Sequence, residues 1–233
     1  MKNPDNHLKE IKKMNVTKAI KSRKSVRAFT RQPVSREILK MILDTARWAA
    51  SGTNTQPWEV VVLTGKNKDL LCQKMAAAYH GGVKGKMEYN YYPVEWKDPF
   101  KARRIACGKA LYAALSIERE DLGRRKSQWA ANYRAFDAPV MILFYMDQIM
   151  KTGSYLDYGM FIQSVMLAAL DHGLATCPQA ALGEYPNIVK AFTGHGAEHT
   201  LICGMAMGYE DVEAAVNNYR TDRRQAEAFT TFM

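Results

Sequence analysis

The sequence predicts a β-sheet covered by helices, of the α+β or α/β class. Three observations carry that expectation. Glu59–Leu63, Val140–Tyr145 and Leu201–Tyr209 are apolar runs with the length and side-chain types of interior strands. Segments with helical periodicity separate them. No internal repeat divides the 233 residues, so one domain with an excursion at about residues 80–130 is expected.

The elements follow in chain order. Asn15 or Thr17 can cap a short helix ending near Ser22. Ser35 caps a second helix, "REILKMILDTARWAAS", with Ile38, Ile42 (or Met41), Thr45, Ala46 and Ala49 on one face and Lys40, Asp44 and Arg47 on the other. "EVVVL" is the first strand, and "KNKDLLCQKMAAAYH" reads as a helix. From His80 to Trp129 the composition shifts to Gly, Pro and aromatics, with Tyr89, Tyr91, Tyr92 and Trp96 close together, followed by one or two helices. That stretch is too hydrophobic for a disordered linker and reads as a lid or a partner-facing arm. A strand at Val140–Tyr145 precedes a long apolar helix from about Tyr155 to His172, stopped at Gly173. "CPQAALGEYP" is a turn, "NIVKAFTG" a short helix and "LICGMAMGY" the third strand. The tail from Val212 leaves the core and exposes Arg220, Arg223 and Arg224.

Composition narrows the function classes. The chain is 47% hydrophobic and 24% charged, which is ordinary for a globular protein. A chain of this length buries roughly 70% of its unfolded surface and needs no staple. Its four cysteines form no CxxC pair and read as buried hydrophobes in a reducing cytosol. The polar start "MKNPDNHLKEIKKMN" has no apolar core, and no run of 18 apolar residues occurs, so a cytoplasmic protein without a leader or membrane span is expected. The formal charge of +10 attracts anions, but the basic residues form only short clusters and no arm for nucleic acid.

Several motifs fail on chemistry. "HGAEH" at His195–His199 has inverted-zincin spacing, but Gly194 and Gly196 oppose the helix that a zinc site needs, and a solvated loop fits better. "GGVKGKM" has the wrong P-loop spacing and puts Met87 in place of the Mg²⁺-holding hydroxyl. No GxGxxG follows a strand, and no GxSxG elbow occurs.

Three polar clusters remain. Arg23, Lys24 and Ser25 offer two cations and a hydroxyl that suit a phosphate, or simply form a basic helix end. Ser51, Thr53, Asn54 and Gln56 precede Pro57-Trp58 and suit either a plain turn or a loop that holds a polar ligand. The turn at Pro178, Gln179 and Ala180 and the basic tail "RTDRR" (Arg220–Arg224) form the third group.

In their order and spacing these clusters resemble the FMN-dependent nitroreductases, in particular the nitroaromatic- and nitrobenzoate-reducing branch. The "RRSxRxF"-like element is matched by Arg23-Lys24-Ser25-Val26-Arg27-Ala28-Phe29, and "PSxxNxQPWxFxVV" by Ala50 to Val62. The resemblance implies an α+β nitroreductase-like fold, with a mainly antiparallel central sheet flanked by helices, in an intertwined homodimer. It implies FMN at the dimer interface, its phosphate and ribityl chain held by Arg23, Lys24 and Ser25, with Arg223 or Arg220 reaching from the tail. Ser51, Thr53, Asn54 and Gln56 would line the flavin from the other subunit. Pro178, Gln179 and Ala180 would run along the ring edge, and Asn132 would touch its pyrimidine end.

The implied activity is ping-pong hydride transfer from NADPH or NADH to a flat nitroaromatic or quinone-like acceptor, with no catalytic acid and no metal. A flavin carrier or redox sensor of the same fold is the alternative. Three departures stand out. Lys24 replaces an Arg, the turn at Pro178-Gln179 has no Glu, and only Arg223 matches the tail cleanly. Asn132, where the superfamily's deiodinases place a Lys, argues against dehalogenation.

Overall fold

The computed structural model describes residues 15–233. The charged opening stretch on which the no-leader expectation rests lies almost wholly outside them. Among the described residues the sheet has four strands, β1 (Glu59–Thr64), β2 (Val140–Asp147), β3 (Ala175–Gln179) and β4 (His199–Gly208). Their order is β1-β2-β4-β3 and each neighbouring pair is antiparallel. The helices are α1 (Val16–Ser22), α2 (Arg36–Ala46), α3 (Gly65–His80), α4 (Phe100–Ala114), α5 (Leu122–Ala130), α6 (Thr152–Asp171) and α7 (Pro186–Thr193). The architecture is α+β.

Successive strand residues face opposite sides, and both sides are covered. Ile142, Phe144 and Met146 of β2 pack with Leu39 and Ile42 of α2 and Phe161 and Val165 of α6. Met141, Leu143 and Tyr145 pack the other way, with Leu71 and Met75 of α3 and Val189 of α7. Two-sided burial is why β2 and β4 read as unbroken apolar runs rather than alternating ones.

Local signals place the helix ends. Asn15 caps α1 by accepting from Lys18 N at 2.8 Å, and Ser35 caps α2 by accepting from Ile38 N at 3.3 Å. Gly194 ends α7 in the left-handed conformation (φ 78°). The buried face of α2 is Leu39, Ile42 and Ala46, while Met41 is exposed. The excursion holds two helices, α4 and α5.

One strand departs from the sequence expectation. The segment read as a turn after α6 is β3, and Pro178 lies within it. The reason is its place at the sheet edge, where a missing N–H costs no ladder bond to a further strand. The ensuing Ala180–Gly183 turn is 3₁₀. The "HGAEH" loop is also less solvated than expected. His195 is half-buried and stacks on Tyr145 with ring centroids 4.0 Å apart.

Candidate functional site

The basic segment after α1 runs beside β3. Ser25 bridges Thr176, and Val26 N donates to Thr176 O at 3.1 Å. The C-terminal tail crosses the same segment. Arg220 donates to Ser22 O at 3.3 Å and to Arg23 O at 2.8 Å. Arg23, Arg220 and Arg223 therefore converge. Burial, then the charges of Arg223 and Arg220, push the Arg23 guanidinium below its ordinary pKa. Among the described residues, no carboxylate forms an ion pair with any of these three. Three like charges held together without a counter-charge form a place for an anion.

Lys24 has protein partners of its own. Its ammonium pairs with Glu210 at 2.7 Å and donates to Asn217 O at 2.7 Å. Its charge is already balanced by protein.

At the other end of β3, Gln179 is 4% exposed. Its Nε2 donates to Asn132 O at 3.0 Å and to Asn132 Oδ1 at 3.2 Å. A backbone carbonyl only accepts, so this contact fixes which amide atom is the nitrogen. Gln179 Oε1 is then left buried without a partner. An orphaned acceptor of this kind is expensive unless a donor arrives. Asn132 is anchored in turn by its Nδ2, which donates to Trp129 O at 2.9 Å.

Pro178, Gln179 and Ala180 line a cleft of about 600 Å³. Tyr89 and Tyr91 of the excursion wall it, with Tyr155, Tyr158 and Ile162 of α6 and Ile202 and Cys203 of β4. Tyr89 is fixed there, because its hydroxyl donates to Ile202 O at 2.7 Å and its ring packs on Tyr155 with centroids 5.1 Å apart. Glu88 anchors the root of this arm, pairing with Lys190 at 2.7 Å and accepting from Leu201 N at 2.8 Å. The start of the aromatic stretch, Tyr89 to Tyr91, is thus a wall of the cleft.

The Ser51–Gln56 loop lies apart from these groups. Among the described residues, it makes no hydrogen bond or ion pair to the arginine cluster, to Asn132 or to Gln179. Gly52 N donates to Asp157 Oδ1 of α6 at 3.2 Å, and Gln56 N donates to Ser51 Oγ at 3.0 Å. Thr53, Asn54 and Gln56 are exposed and hold φ of 49°, 58° and 48°. A β-branched Thr rarely adopts that conformation, and strain of this kind concentrates at ligand loops. Pro57 is buried and Trp58 stacks on Phe161 with ring centroids 4.7 Å apart, so the loop is braced from below.

A family model described as "Nitroreductase family" matches residues 20–209. The chain belongs to the nitroreductase family. It is 36% identical to a 4-nitrobenzoate reductase of Pseudomonas putida over 92% of this chain and 93% of that protein. It is 35% identical to a chloronitrobenzene nitroreductase of Comamonas testosteroni, over 92% and 95% of the two. Among solved structures it is similar to the FMN and NADPH-dependent nitroreductase NfnB from sphigopyxis sp. strain HMH. The TM-score there is 0.91 at 39% identity, covering 94% of this chain and 99% of that one.

Sequence reasoning missed one buried polar tie beside the arginine cluster of this nitroreductase. Asn217 is buried, and it ties the tail to the segment that carries Arg23. Apart from Asp211, its partners are 189 to 193 residues away, so the tie is not visible locally.

Proposed function

We propose that this protein is an FMN-dependent NAD(P)H oxidoreductase of the cytoplasm that reduces nitroaromatic or quinone-like acceptors. The observation that carries the reading is the track along β3. An uncompensated arginine trio sits at one end, by Thr176, and an orphaned amide acceptor beside an aromatic cleft at the other, by Gln179. Thr176 and Gln179 are ~10 Å apart at the rise of an extended strand. A ligand with a phosphate at one end, a ribityl spacer and a flat ring with N–H groups at the other fits that track. The nitrobenzoate and chloronitrobenzene reductases among the relatives, and the FMN and NADPH dependence of NfnB, support the same reading.

When bound, FMN supplies two-electron exchange, first with NAD(P)H and then with the acceptor at the same face, a ping-pong cycle. The chain's own residues hold and shape the site. Arg23, Arg220 and Arg223 would hold the phosphate, with Ser25 offering a hydroxyl from the same segment. Gln179, oriented by Asn132, would offer Oε1 to a ring N–H, and Pro178 and Ala180 would border the ring. Lys24 contributes by securing the tail rather than by touching phosphate. Tyr89, Tyr91 and Tyr155 give an aromatic wall, of tilted rings, against which a flat aromatic acceptor would pack.

The partner is a second copy of the chain. Leu156 and Met160 of α6 and Trp48 are 75%, 43% and 80% exposed, an apolar surface that a second subunit would cover. Ser51, Thr53, Asn54 and Gln56 then reach the ring bound to the other subunit.

An absorbance spectrum of the freshly purified protein, followed by anaerobic NADPH, tests this. A yellow protein whose flavin band bleaches, and which then turns over with a nitroarene, is the expected result. A colourless protein that takes up no added FMN sinks the reading.

A further inference from the structure

Asn217 is 2% exposed and sits in the 3₁₀ turn Ala215–Asn217. Both polar atoms of its side chain are used. Oδ1 accepts from Arg27 N at 2.8 Å, and Nδ2 donates to Ala28 O and Asp211 O, each at 2.9 Å. Its backbone carbonyl accepts from Lys24 Nζ. One residue thus bonds to Lys24, Arg27 and Ala28 while also closing the tail's own turn on Asp211. The tail continues from this point. Tyr219 accepts from Arg27 Nη1 at 2.9 Å through its hydroxyl, and Arg220 then reaches the carbonyls of Ser22 and Arg23.

Arg220 and Arg223 are exposed and lie on a stretch with little other anchorage. Left alone, their repulsion from Arg23 would drive that stretch away. We propose that Asn217 is a positioning residue for the phosphate end of the flavin, clasping the tail to the Arg23–Ala28 segment so that Arg220 and Arg223 arrive beside Arg23. The inference rests on the flavin reading above. It also reassigns Lys24, which the motif alone gives to phosphate, to the clasp.

Comparing FMN with riboflavin, which has the same ring and ribityl chain but no phosphate, tests it. Apo-protein and Asn217→Ala are titrated with each flavin by fluorescence quenching. The expected result is an FMN dissociation constant about tenfold higher in the variant, with riboflavin changed by less than about twofold. A purely structural role would weaken both flavins together, and that outcome overturns the proposal. An unchanged preference for FMN in the variant overturns it too, while leaving the flavin reading intact. Wild-type protein that binds neither flavin fails the reading itself, and the clasp with it. Should Asn217→Ala not fold, Tyr219→Phe decides the matter, since it cuts one tie of the same clasp outside the core. A preference for FMN reduced about threefold supports the clasp, and an unchanged preference overturns it.

Discussion

Arg23 is held where its charge is least welcome. Its backbone carbonyl is bound by one guanidinium, and burial first, then two arginines, lower its pKa. A cluster that is unfavourable in the empty protein and favourable around an anion is selected by binding, not by stability. Arg23→Ala separates the two effects. FMN affinity should fall about 10- to 100-fold, as expected for a lost charge-assisted contact to phosphate. The apo-protein should be as stable as wild type or more so, because a like-charge repulsion is removed. Flavin titration and thermal unfolding of the apo-form check both halves. A variant that loses stability but keeps its FMN affinity would place Arg23 in the scaffold.

At the scale of elements, the turn after β3 begins at the cleft, and Gly204 lets it close on the sheet. Gly204 faces Gln179 across the β3–β4 pair. A Cβ there would meet Leu182 Cδ1 at 2.5 Å and Leu182 Cβ at 2.8 Å, and Leu182 is fully buried. Gly204→Ala should therefore push the 180–183 turn off the sheet and cost about 1–3 kcal/mol. Urea unfolding should show a lower midpoint at unchanged slope; an unaltered midpoint would mean that the turn yields without strain.

The same elements show what the sequence could and could not disclose. Caps at Asn15 and Ser35, the glycine after α6 and the apolar strands are local chemistry, and they were legible. The direct contact of Gln179 with Asn132 and of Arg220 with Arg23 joins residues that the sequence linked only through the joint family pattern. β3 was not legible, because Pro178 signals a break unless the strand is known to be an edge. The bonds of Lys24 to Glu210 and Asn217 were not legible, because both partners lie far along the chain. The excursion's role as a cleft wall depends on Glu88–Lys190 and Tyr89–Ile202, pairings across more than a hundred residues.

Over the whole molecule, buried acidic groups decide how stability varies in alkali. Burial pushes the thiols of Cys72 and Cys177 up to about 11 and that of Cys203 up to about 12, from an ordinary 9.0. The folded state therefore keeps protons that the unfolded chain gives up. Stability from this source is fully present below pH 9 and drains as the pH rises toward 11–12, by up to about 1.4 kcal/mol per pH unit for each thiol. Buried tyrosines such as Tyr145, raised to about 12 from 10.0, add to the loss at higher pH and in the same direction. The window from pH 9 to 10 thus belongs mainly to the cysteines. The thermal midpoint of the apo-protein should hold steady from pH 7 to 8.5 and then fall progressively. Cys203→Ala should start from a lower midpoint, since it opens space in the core, yet decline less steeply through that window. Equal slopes for the variant and the wild type between pH 9 and 10 would show that the Cys203 proton is not linked to folding.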